Sequence, residues 1–386
     1  MFLLIILALS IYGLINFYVA RRGAQALGGT PTVRTIFLVV FIALALSYPL
    51  GRVLMSRGGN SLSSPFIIAG SFHMVVMLYG FMGAVLVDLV RLANAFVPFL
   101  PRSFSARPGT TGLVLFIAVA GVTSLTLVAG AINAARVRTV ELSLSVPKTA
   151  GTLDHLTIVL ASDLHLGMLV GESRLEKIVD RINALAPDIV LMPGDIVDET
   201  VTAKDEMEFS TIMKRLRAPL GVFVVPGNHE FYSGLARNLA CLRACGIRVL
   251  EDEAVCVAGD FVLVGRRDPS SLAPGERRLP IRDILANSGF DGGLPVILLD
   301  HQPAHLEEAS QAGVDLQLSG HTHAGPLFPL DIINRMVWEL NWGYLRKGNT
   351  QYYVTSGVGT WGPPVRTGSR PEIVRIRLSF AGPGLP

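Results

Sequence analysis

The order of apolar and polar residues changes in character near residue 150. Before that point the sequence holds four long apolar runs, separated by clusters rich in Arg, Gly, Ser and Pro. A helix needs about 20 consecutive apolar residues to cross the hydrocarbon core of a bilayer. Residues 1–148 are therefore predicted to form an all-α transmembrane domain of about four helices. The predicted spans are residues 2–19, 36–55, 66–90 and 112–135.

From residue 149 onward, short runs of β-branched residues alternate with amphipathic stretches. This alternation is typical of a layered α/β domain, which is predicted over residues 149–386. Ala258-Gly259-Asp260-Phe261 predicts a hairpin turn between two strands. The predicted strands are residues 156–161, 188–192, 222–225 and 296–299. The predicted helices are residues 172–186, 203–217, 233–245 and 303–312.

Charge is divided unevenly between the two parts. Residues 1–150 carry eleven Lys and Arg against two acidic residues, whereas the remainder carries 22 basic and 28 acidic residues. Basic residues that flank apolar runs are typical of membrane topology, so the basic pI of about 8.8 does not indicate a nucleic-acid partner. Because Arg21 and Arg22 follow the first run, we expect a retained anchor and a second domain on the external side of the membrane.

Several groups in apolar surroundings are expected to be structural. His73 and Asp88 lie in the third apolar run, where Asp88 is near a helix end and His73 can bond within a bundle. The three cysteines lack the spacing of a zinc site and are predicted to be buried thiols. They are Cys241, Cys245 and Cys256.

Five polar clusters follow predicted strands, where the chain leaves the carboxyl edge of a sheet and ligands tend to bind. The clusters contain five of the eight histidines. Of the other three, His73 lies in the third apolar run, and His155 and His305 are expected to be surface or core residues. The clusters are Asp163-Leu164-His165, Gly194-Asp195-Ile196-Val197-Asp198, Gly227-Asn228-His229-Glu230, Asp300-His301 and Gly320-His321-Thr322-His323.

These clusters combine carboxylate and amide oxygens with imidazole nitrogens and contain no thiolate. Such a ligand set suits Mn, Fe, Zn or Mg. More than four candidate ligands exceed what one tetrahedral zinc requires, whereas two metals roughly 3.5 to 4 Å apart need about this many, with one carboxylate bridging. The sequence therefore predicts two divalent metal ions and leaves their identity open.

The ordered pattern DLH, GDIVD, GNHE, DH and GHTH resembles the calcineurin-like metallophosphoesterase family over residues 155–380. The stretches LDHQP at 299–303 and YVTSGVGTWGPPVRTGSRPEIV at 353–374 resemble its membrane-anchored bacterial branch. The resemblance implies a layered β-sandwich flanked by helices, in a protein of the bacterial inner membrane. It also implies a metal-dependent phosphoester hydrolase in which a hydroxide bridges the two metals.

The same resemblance implies the site residues. The first metal would be held by Asp163, His165, Asp195 and His323. The second would be held by Asp195, Asn228, His301 and His321, so that Asp195 bridges. His229 would act on the phosphoryl group, and Asp198 or Glu230 would orient a neighbouring imidazole. For Glu230, a simple helix-start acid is an equal alternative.

Two features leave the substrate open. Where relatives often have Gly-Gly-Gln after the last cluster, this chain has Ala324, Gly325 and Pro326. Residues 326–345 then form an apolar stretch with Trp and Tyr, which fits either contact with lipid or a flap over the sheet.

The leading hypothesis is a membrane-anchored phosphoesterase that cleaves a phosphomonoester, phosphodiester or pyrophosphate, on a lipid-linked or envelope substrate. One alternative is a pyrophosphohydrolase of a UDP-linked acylated sugar in lipid A synthesis, which requires a cytoplasmic active site. A non-enzymatic scaffold is a second alternative. A transporter or receptor is a third, disfavoured because the apolar runs contain few charges.

Overall fold

The structure is a computed structural model, and it describes residues 2–57, 60–101, 108–167, 169–198, 203–273, 275–290 and 292–380. The chain divides into two compact units, Met1–Ala129 and Gly130–Pro386. The domain boundary at 148/149 stays a prediction.

The first unit is helical in its described residues. Its helices are α1 (Phe2–Ala26), α2 (Pro31–Ser56), α3 (Asn60–Phe96) and α4 (Pro108–Ala135), the last of which continues into the second unit. Three segments are long and apolar enough to cross a membrane, Pro31–Ser56, Leu62–Phe96 and Gly109–Ala135. The first predicted span, residues 2–19, lies within α1 and stays a prediction because the side chains of residues 1–5 lie outside the described ones.

Polar side chains within the first unit bond to one another. His73 Nε2 lies 2.8 Å from Asn16 Oδ1, which joins α3 to α1. Asp88 accepts a hydrogen bond of 2.6 Å from the Tyr18 hydroxyl and forms an ion pair with Arg22. Polar groups in apolar surroundings are costly unless they are paired, and these pairs give His73 and Asp88 the structural role expected of them.

The second unit contains two sheets of six strands each, with strand orders β1-β12-β2-β3-β4-β5 and β10-β11-β9-β8-β7-β6. The strands are β1 (Arg138–Val146), β2 (His155–Leu160), β3 (Ile189–Pro193), β4 (Val222–Val225), β5 (Arg248–Val249), β6 (Glu253–Val257), β7 (Phe261–Gly265), β8 (Val296–Leu299), β9 (Leu316–Ser319), β10 (Gly343–Lys347), β11 (Thr350–Val354) and β12 (Glu372–Phe380). The helices are α5 (Glu172–Ala184), α6 (Ala203–Met213), α7 (Asn228–Ala244), α8 (Ile281–Asn287), α9 (Leu306–Gln311) and α10 (Leu330–Val337).

The two sheets pack face to face. Their shared core includes Leu160 and Leu191 from the first sheet and Leu299 and Leu318 from the second. Helices α5, α6 and α7 cover the outer face of the first sheet, and α8 and α9 cover the outer face of the second. Parallel strands that are buried on both faces read as continuous apolar runs, which is why β3 and β8 stand out in the sequence. The predicted α/β class, a layered β-sandwich flanked by helices, is confirmed.

The predicted hairpin turn is present, since β6 and β7 pair in antiparallel register on either side of Ala258 and Gly259. Both turn residues have positive φ, as a tight hairpin turn requires. Of the three cysteines predicted to be buried, Cys245 is buried and Cys241 is half-buried, and the prediction is wrong for Cys256, which is exposed. Cys256 lies on β6, an edge strand whose alternation turns this side chain outward.

The end of α4 is part of the second unit. Arg366 N donates to Gly130 O at 3.0 Å, and Asn133 Nδ2 donates to the carbonyl oxygens of Arg366 and Ser369 at 2.8 Å each. A Cβ on Gly130 would come within 2.6 Å of Val365 Cγ1, so only glycine allows this close approach. The segment 365–369 therefore holds the end of the helix that contains the Gly109–Ala135 span.

Candidate metal centre

The sheet topology brings the five polar clusters to one edge. Strands β2, β3 and β4 are parallel neighbours in the first sheet, and β8 and β9 are parallel neighbours in the second. The carboxyl ends of parallel strands lie at the same sheet edge, and the side chains that follow them converge there. The predicted ligands that converge are Asp163 and His165 after β2, Asp195 after β3, Asn228 after β4, His301 after β8, and His321 and His323 after β9.

One group of candidate ligands consists of Asp163, His165 and His323. Their ligand atoms all lie within 4.8 Å of one another, and all three residues are buried. The two Nε2 atoms of His165 and His323 are 3.0 Å apart, and His323 Nε2 is 3.6 Å from Asp163 Oδ1. Two imidazole nitrogens that face each other at this distance favour a shared cation.

A second group consists of Asp195, His301 and His321, again with ligand atoms within 4.8 Å of one another. Asn228 Oδ1 completes this group, because it lies 3.1 Å from His301 Nε2 and 2.9 Å from His321 Nδ1. Asp195 Oδ2 lies 3.2 Å from His301 Nε2 in this group and 3.9 Å from His165 Nε2 in the first. One carboxylate therefore stands between the two groups.

The backbone is strained where the ligands are held. Five of the seven predicted ligands have positive φ, a conformation uncommon for residues other than glycine. Such strained residues cluster at functional sites, where the surrounding structure imposes them. The five are Asp163, His165, Asp195, His321 and His323.

Neighbouring polar groups aim several ligands into the site. His301 Nδ1 lies 2.7 Å from the carbonyl oxygen of Pro193, which leaves Nε2 to face Asp195. Asp163 Oδ1 accepts a hydrogen bond of 2.9 Å from His321 N, whereas Asp163 Oδ2 is buried without a hydrogen-bond partner among the described residues. A buried carboxylate oxygen without a donor is costly, and a cation would satisfy it.

Electrostatics favour cations at the same place. Burial lowers the pKa of His165 and of His321 to about 4, and it lowers the pKa of His323 well below its ordinary value. These three imidazoles are neutral at pH 7, and neutral imidazole is the form that binds metals. Burial alone would lower the pKa of His301, but the Asp195 carboxylate raises it well above its ordinary value.

The observed donor set fits two divalent cations. It offers imidazoles, two buried aspartates and one amide oxygen in two adjoining groups, together with a carboxylate oxygen that lacks a donor among the described residues. Hard oxygen ligands mixed with imidazole suit Mn, Fe, Zn or Mg, and they do not distinguish among these metals.

His229 lies beside both groups without belonging to the predicted ligands. Its ring centroid is 4.6 Å from that of His165, and its Nδ1 is 2.9 Å from Asp198 Oδ1. Burial alone would lower the pKa of His229, but the hydrogen bond with Asp198 and the charge of Asp195 raise it to about 9. Asp198 therefore fixes the orientation of the ring and favours its protonated form. His229, Asp195 and His165 also form a third cluster, with ligand atoms within 4.8 Å of one another.

Glu230 orients the backbone of a neighbouring loop rather than an imidazole. Its fully buried carboxylate accepts hydrogen bonds from four backbone N–H groups, at 2.6 to 3.0 Å. Three of these N–H groups belong to the loop that carries Asp195, and the fourth belongs to Gly227. Glu230 is thus more than an acid at the start of a helix. Its hydrogen bonds fix the loop that carries Asp195, the residue predicted to bridge the two metals. The donors are the N–H groups of Asp195, Ile196, Val197 and Gly227.

Two further residues near the site were not found from the sequence. Arg366 is fully buried, and its Nη2 lies 3.1 Å from His323 Nδ1 while its Nη1 donates to Ser356 O at 2.7 Å. Trp338 packs edge-on against His321, with ring centroids 5.4 Å apart. Arg366 lies in the stretch 353–374 and Trp338 in the apolar stretch 326–345, but neither pattern predicts a contact with a ligand.

Other predicted residues lie away from the ligands. Asp300 is buried and pairs with Arg278, at 2.7 Å between Oδ1 and Nη2, instead of joining either ligand group. His155 and His305 are exposed, which agrees with the surface role expected of them. Ala324 and Gly325 both have positive φ, and a Cβ on Gly325 would come within 2.2 Å of Asp331 Cα. Gly325 thus allows α10 to pack closely against the last ligand loop.

Comparisons with known proteins agree with this geometry. A family model described as calcineurin-like phosphoesterase matches residues 156–325. An uncharacterized metallophosphoesterase of Aquifex aeolicus is 38% identical over 59% of this chain and 86% of its own length. A transmembrane protein with metallophosphoesterase domain from Danio rerio is 34% identical over 67% of this chain and 62% of its own length.

One relative matches both parts of the chain. An uncharacterized metallophosphoesterase of Campylobacter jejuni is 28% identical over 96% of this chain and 97% of its own length. The chain spans about three fifths of the length of two other curated relatives, 60% and 62%. The similarity therefore extends over the helical part as well as the part that holds the candidate ligands.

Proposed function

This chain belongs to the calcineurin-like metallophosphoesterase family, and from that premise we propose that it is a membrane-bound hydrolase of a phosphomonoester, phosphodiester or pyrophosphate. The two ligand groups would hold two divalent cations, with Asp195 between them. The first cation would be held by Asp163, His165, Asp195 and His323, and the second by Asp195, Asn228, His301 and His321.

The observation that carries this proposal is the shared carboxylate. Asp195 Oδ2 is 3.2 Å from a nitrogen of one group and 3.9 Å from a nitrogen of the other, and the residue is only 2% exposed. A single-metal site needs no such arrangement, whereas a pair of cations needs an anion between them to reduce their repulsion. Glu230 holds the loop of Asp195 in place through its backbone hydrogen bonds.

Two bound cations would supply Lewis-acid stabilisation of the phosphoryl oxygens and would activate water as a nucleophile. The protein supplies orientation and protons. His229 is placed to donate a proton to the departing oxygen, because its ring lies beside the ligand groups and the hydrogen bond with Asp198 raises its pKa. Asp198 holds the ring through Nδ1, so that Nε2 is the nitrogen available to the substrate.

The substrate proposed is a lipid-linked or envelope phosphate ester. Three segments able to cross a membrane support it, because they keep the catalytic unit at a bilayer. Large apolar side chains exposed in the second unit, including Ile333 and Met336, add further support. We also place the second unit on the external side of the bacterial inner membrane, because Arg21 and Arg22 follow the first predicted span.

Hydrolysis by the full-length protein is the direct test. The chain purified in detergent and supplied with Mn²⁺ is expected to release p-nitrophenol from p-nitrophenyl phosphate or bis(p-nitrophenyl) phosphate. Asp163→Ala is the matched inactive control, and His305→Ala, at an exposed position outside the site, should retain full activity. A folded protein that binds no metal and hydrolyses neither compound would favour the non-enzymatic scaffold.

A further inference from the structure

Helix α10 has the reverse of the usual orientation for a surface helix. Amphipathic helices normally turn their apolar face toward the core and their polar face toward water. In α10, Asp331 is buried and Asn334 Nδ2 donates to Thr322 O at 2.7 Å, so the polar face is turned inward. Ile333 and Met336 are 54% and 81% exposed on the other side.

The exposed residues form one continuous apolar face. Here the apolar face of α10 means Phe328, Leu330, Ile332, Ile333, Met336 and Val337, all of which are exposed. Contiguous exposed apolar surface marks a site of contact with another molecule or with a membrane. The side chain of Arg335 is 70% exposed at the border of this face, where a cation can reach lipid phosphates while its stem stays in apolar surroundings.

The neighbours of this face indicate which kind of molecule covers it. Phe328 N donates to Thr367 Oγ1 at 3.0 Å, and Thr367 N donates to Pro326 O at 2.8 Å. The adjacent Arg366 N donates to Gly130 O, near the end of the Gly109–Ala135 span. A single short segment, residues 365–368, therefore contacts the start of the apolar face on one side and the end of an apolar span on the other.

The opposite side of α10 contacts the ligand loop. Asn334 bonds to the carbonyl oxygen of Thr322, which stands between His321 and His323. Thr322 Oγ1 donates to Asn341 O at 2.5 Å, beyond the end of the helix, and Trp338 packs against His321. One side of this short helix therefore contacts the ligand loop, and its other side carries the apolar face.

We infer that α10 is an interfacial helix whose apolar face is inserted among the lipid chains of the bilayer in which the protein is anchored. The occupant is lipid because the face begins beside the end of a helix that is itself apolar enough to span the membrane. This inference deepens the proposed function. It places the metal centre at the depth of lipid headgroups, so that a lipid phosphate reaches it without leaving the bilayer.

Depth-dependent quenching tests the location of α10. A full-length variant lacking the three native cysteines receives one Cys at Met336 or, as the matched control, at Met207, which is 69% exposed on α6. Each is labelled with the fluorophore NBD and reconstituted into vesicles of dioleoylphosphatidylcholine and dioleoylphosphatidylglycerol, with or without doxyl-labelled lipid. Strong quenching and a blue-shifted emission are expected at position 336, with neither at position 207.

Other results would overturn the inference. Emission at position 336 that resembles emission in water would show that the apolar face lies outside the bilayer. Equal quenching at both positions would show that the unit lies on the membrane without a specific orientation. Self-quenching at 336 that rises with the ratio of protein to lipid would identify a second copy of the chain as the occupant instead.

An activity comparison provides an independent test. The double variant Ile333→Asp, Met336→Asp is expected to hydrolyse soluble p-nitrophenyl phosphate at the wild-type rate, because neither side chain contacts the ligands. With dioleoylphosphatidate in vesicles its rate should fall about tenfold or more, since two charges replace apolar groups at the membrane contact. Met207→Asp should leave both rates unchanged.

The two proposals fail separately. If wild-type protein hydrolyses neither compound, the proposed function fails, and the quenching experiment still decides where α10 lies. If wild-type protein hydrolyses both compounds and the double variant loses neither rate, the interfacial helix is wrong and the hydrolase stands. An equal loss with both compounds would also contradict the inference, because it would indicate damage to the ligand loop.

Discussion

His229 is the residue whose role the geometry separates most clearly from that of its neighbours. It is hydrogen-bonded to Asp198, and its ring packs edge to face against that of His165, a proposed ligand. If it donates a proton to the leaving oxygen, His229→Ala should retain its metal and lose activity by about 10² to 10⁴. The defect should be smaller with p-nitrophenol than with an alkyl alcohol, because a good leaving group needs less protonation.

Metal analysis alongside steady-state rates checks this prediction, with His155→Ala as a control at an exposed histidine. An equal defect with both leaving groups would mean that His229 stabilises the equatorial phosphoryl oxygens instead. Loss of metal in His229→Ala would make His229 a ligand, which its cluster with His165 and Asp195 allows geometrically.

Glu230 gives a prediction about stability as well as activity. Each of its two oxygens accepts from two backbone N–H groups, so the amide of Glu230→Gln would leave two buried donors without acceptors. An unpaired buried donor costs about 1 to 3 kcal/mol, and we expect the free energy of unfolding to fall by about 2 kcal/mol or more. Metal affinity should fall with it, because the loop of Asp195 loosens.

Unfolding in detergent, monitored by circular dichroism, measures the stability effect. Glu176→Gln is the matched control, since Glu176 is half exposed and forms a surface ion pair with Arg215. Unchanged stability and metal affinity in Glu230→Gln would show that the four hydrogen bonds do not hold the loop.

The sequence reveals ligands more readily than the residues that position them. The candidate ligands come in short ordered clusters after predicted strands, and the structure brings all seven together. Glu230 and Arg366 are different, because they bond mainly to backbone groups. Glu230 accepts from a loop that lies far away along the chain, and Arg366 donates to carbonyl oxygens of the loop that precedes it. Every residue has a backbone carbonyl group and nearly every residue an N–H group, so the sequence does not reveal which of them a side chain will contact, and these contacts could not be predicted.

At the scale of elements, β1 pairs with a strand of the second unit although it precedes the boundary predicted at 148/149. This strand pairs with β12 in parallel along nine residues, from Arg138 to Val146, and it buries Leu144 and Val146. A fragment of residues 150–386 lacks β1 and leaves the edge of β12 open. A fragment of residues 130–386 keeps both the strand and the end of α4.

We expect the shorter fragment to be less stable than the longer one by about 3 kcal/mol or more, the contribution of burying two aliphatic side chains. Thermal unfolding of the two fragments in the same detergent, together with their state of aggregation, checks this. Equal stability would mean that β1 adds little and that the boundary predicted at 148/149 describes the folding unit.

The elements that the sequence predicts well are those with one simple pattern. Buried parallel strands such as β3 and β8 are continuous apolar runs, and α5 has a regular amphipathic period. Strand β1 is partly exposed along its length and directly follows an apolar span, which hides its pattern. Helix α10 is amphipathic, but its orientation depends on bonds to the ligand loop that the pattern does not contain.

At the scale of the whole molecule, the proposed topology can be tested in cells. The proposal of an external catalytic unit rests on Arg21 and Arg22 after the first predicted span. In a variant without native cysteines, Ala273→Cys introduces a thiol at an exposed position of the second unit. This thiol is expected to react with a membrane-impermeant maleimide while the inner membrane is intact.

A cysteine placed at Thr30, in the exposed loop between α1 and α2, is the control expected on the cytoplasmic side. It should react only after the inner membrane is permeabilised. The opposite pattern at the two positions would place the catalytic unit in the cytoplasm and revive the UDP-linked sugar as a substrate.

The central claim is that two cations share Asp195, and metal stoichiometry tests it most directly. Full-length wild-type protein and its Asp195→Asn and His321→Ala variants would be loaded with Mn²⁺, separated from free metal and measured by elemental analysis. Wild type is expected to hold about two ions per chain and His321→Ala about one, while Asp195→Asn should lose both ions together with activity. One ion in wild type, or a single ion retained by active Asp195→Asn protein, would contradict the shared dinuclear centre.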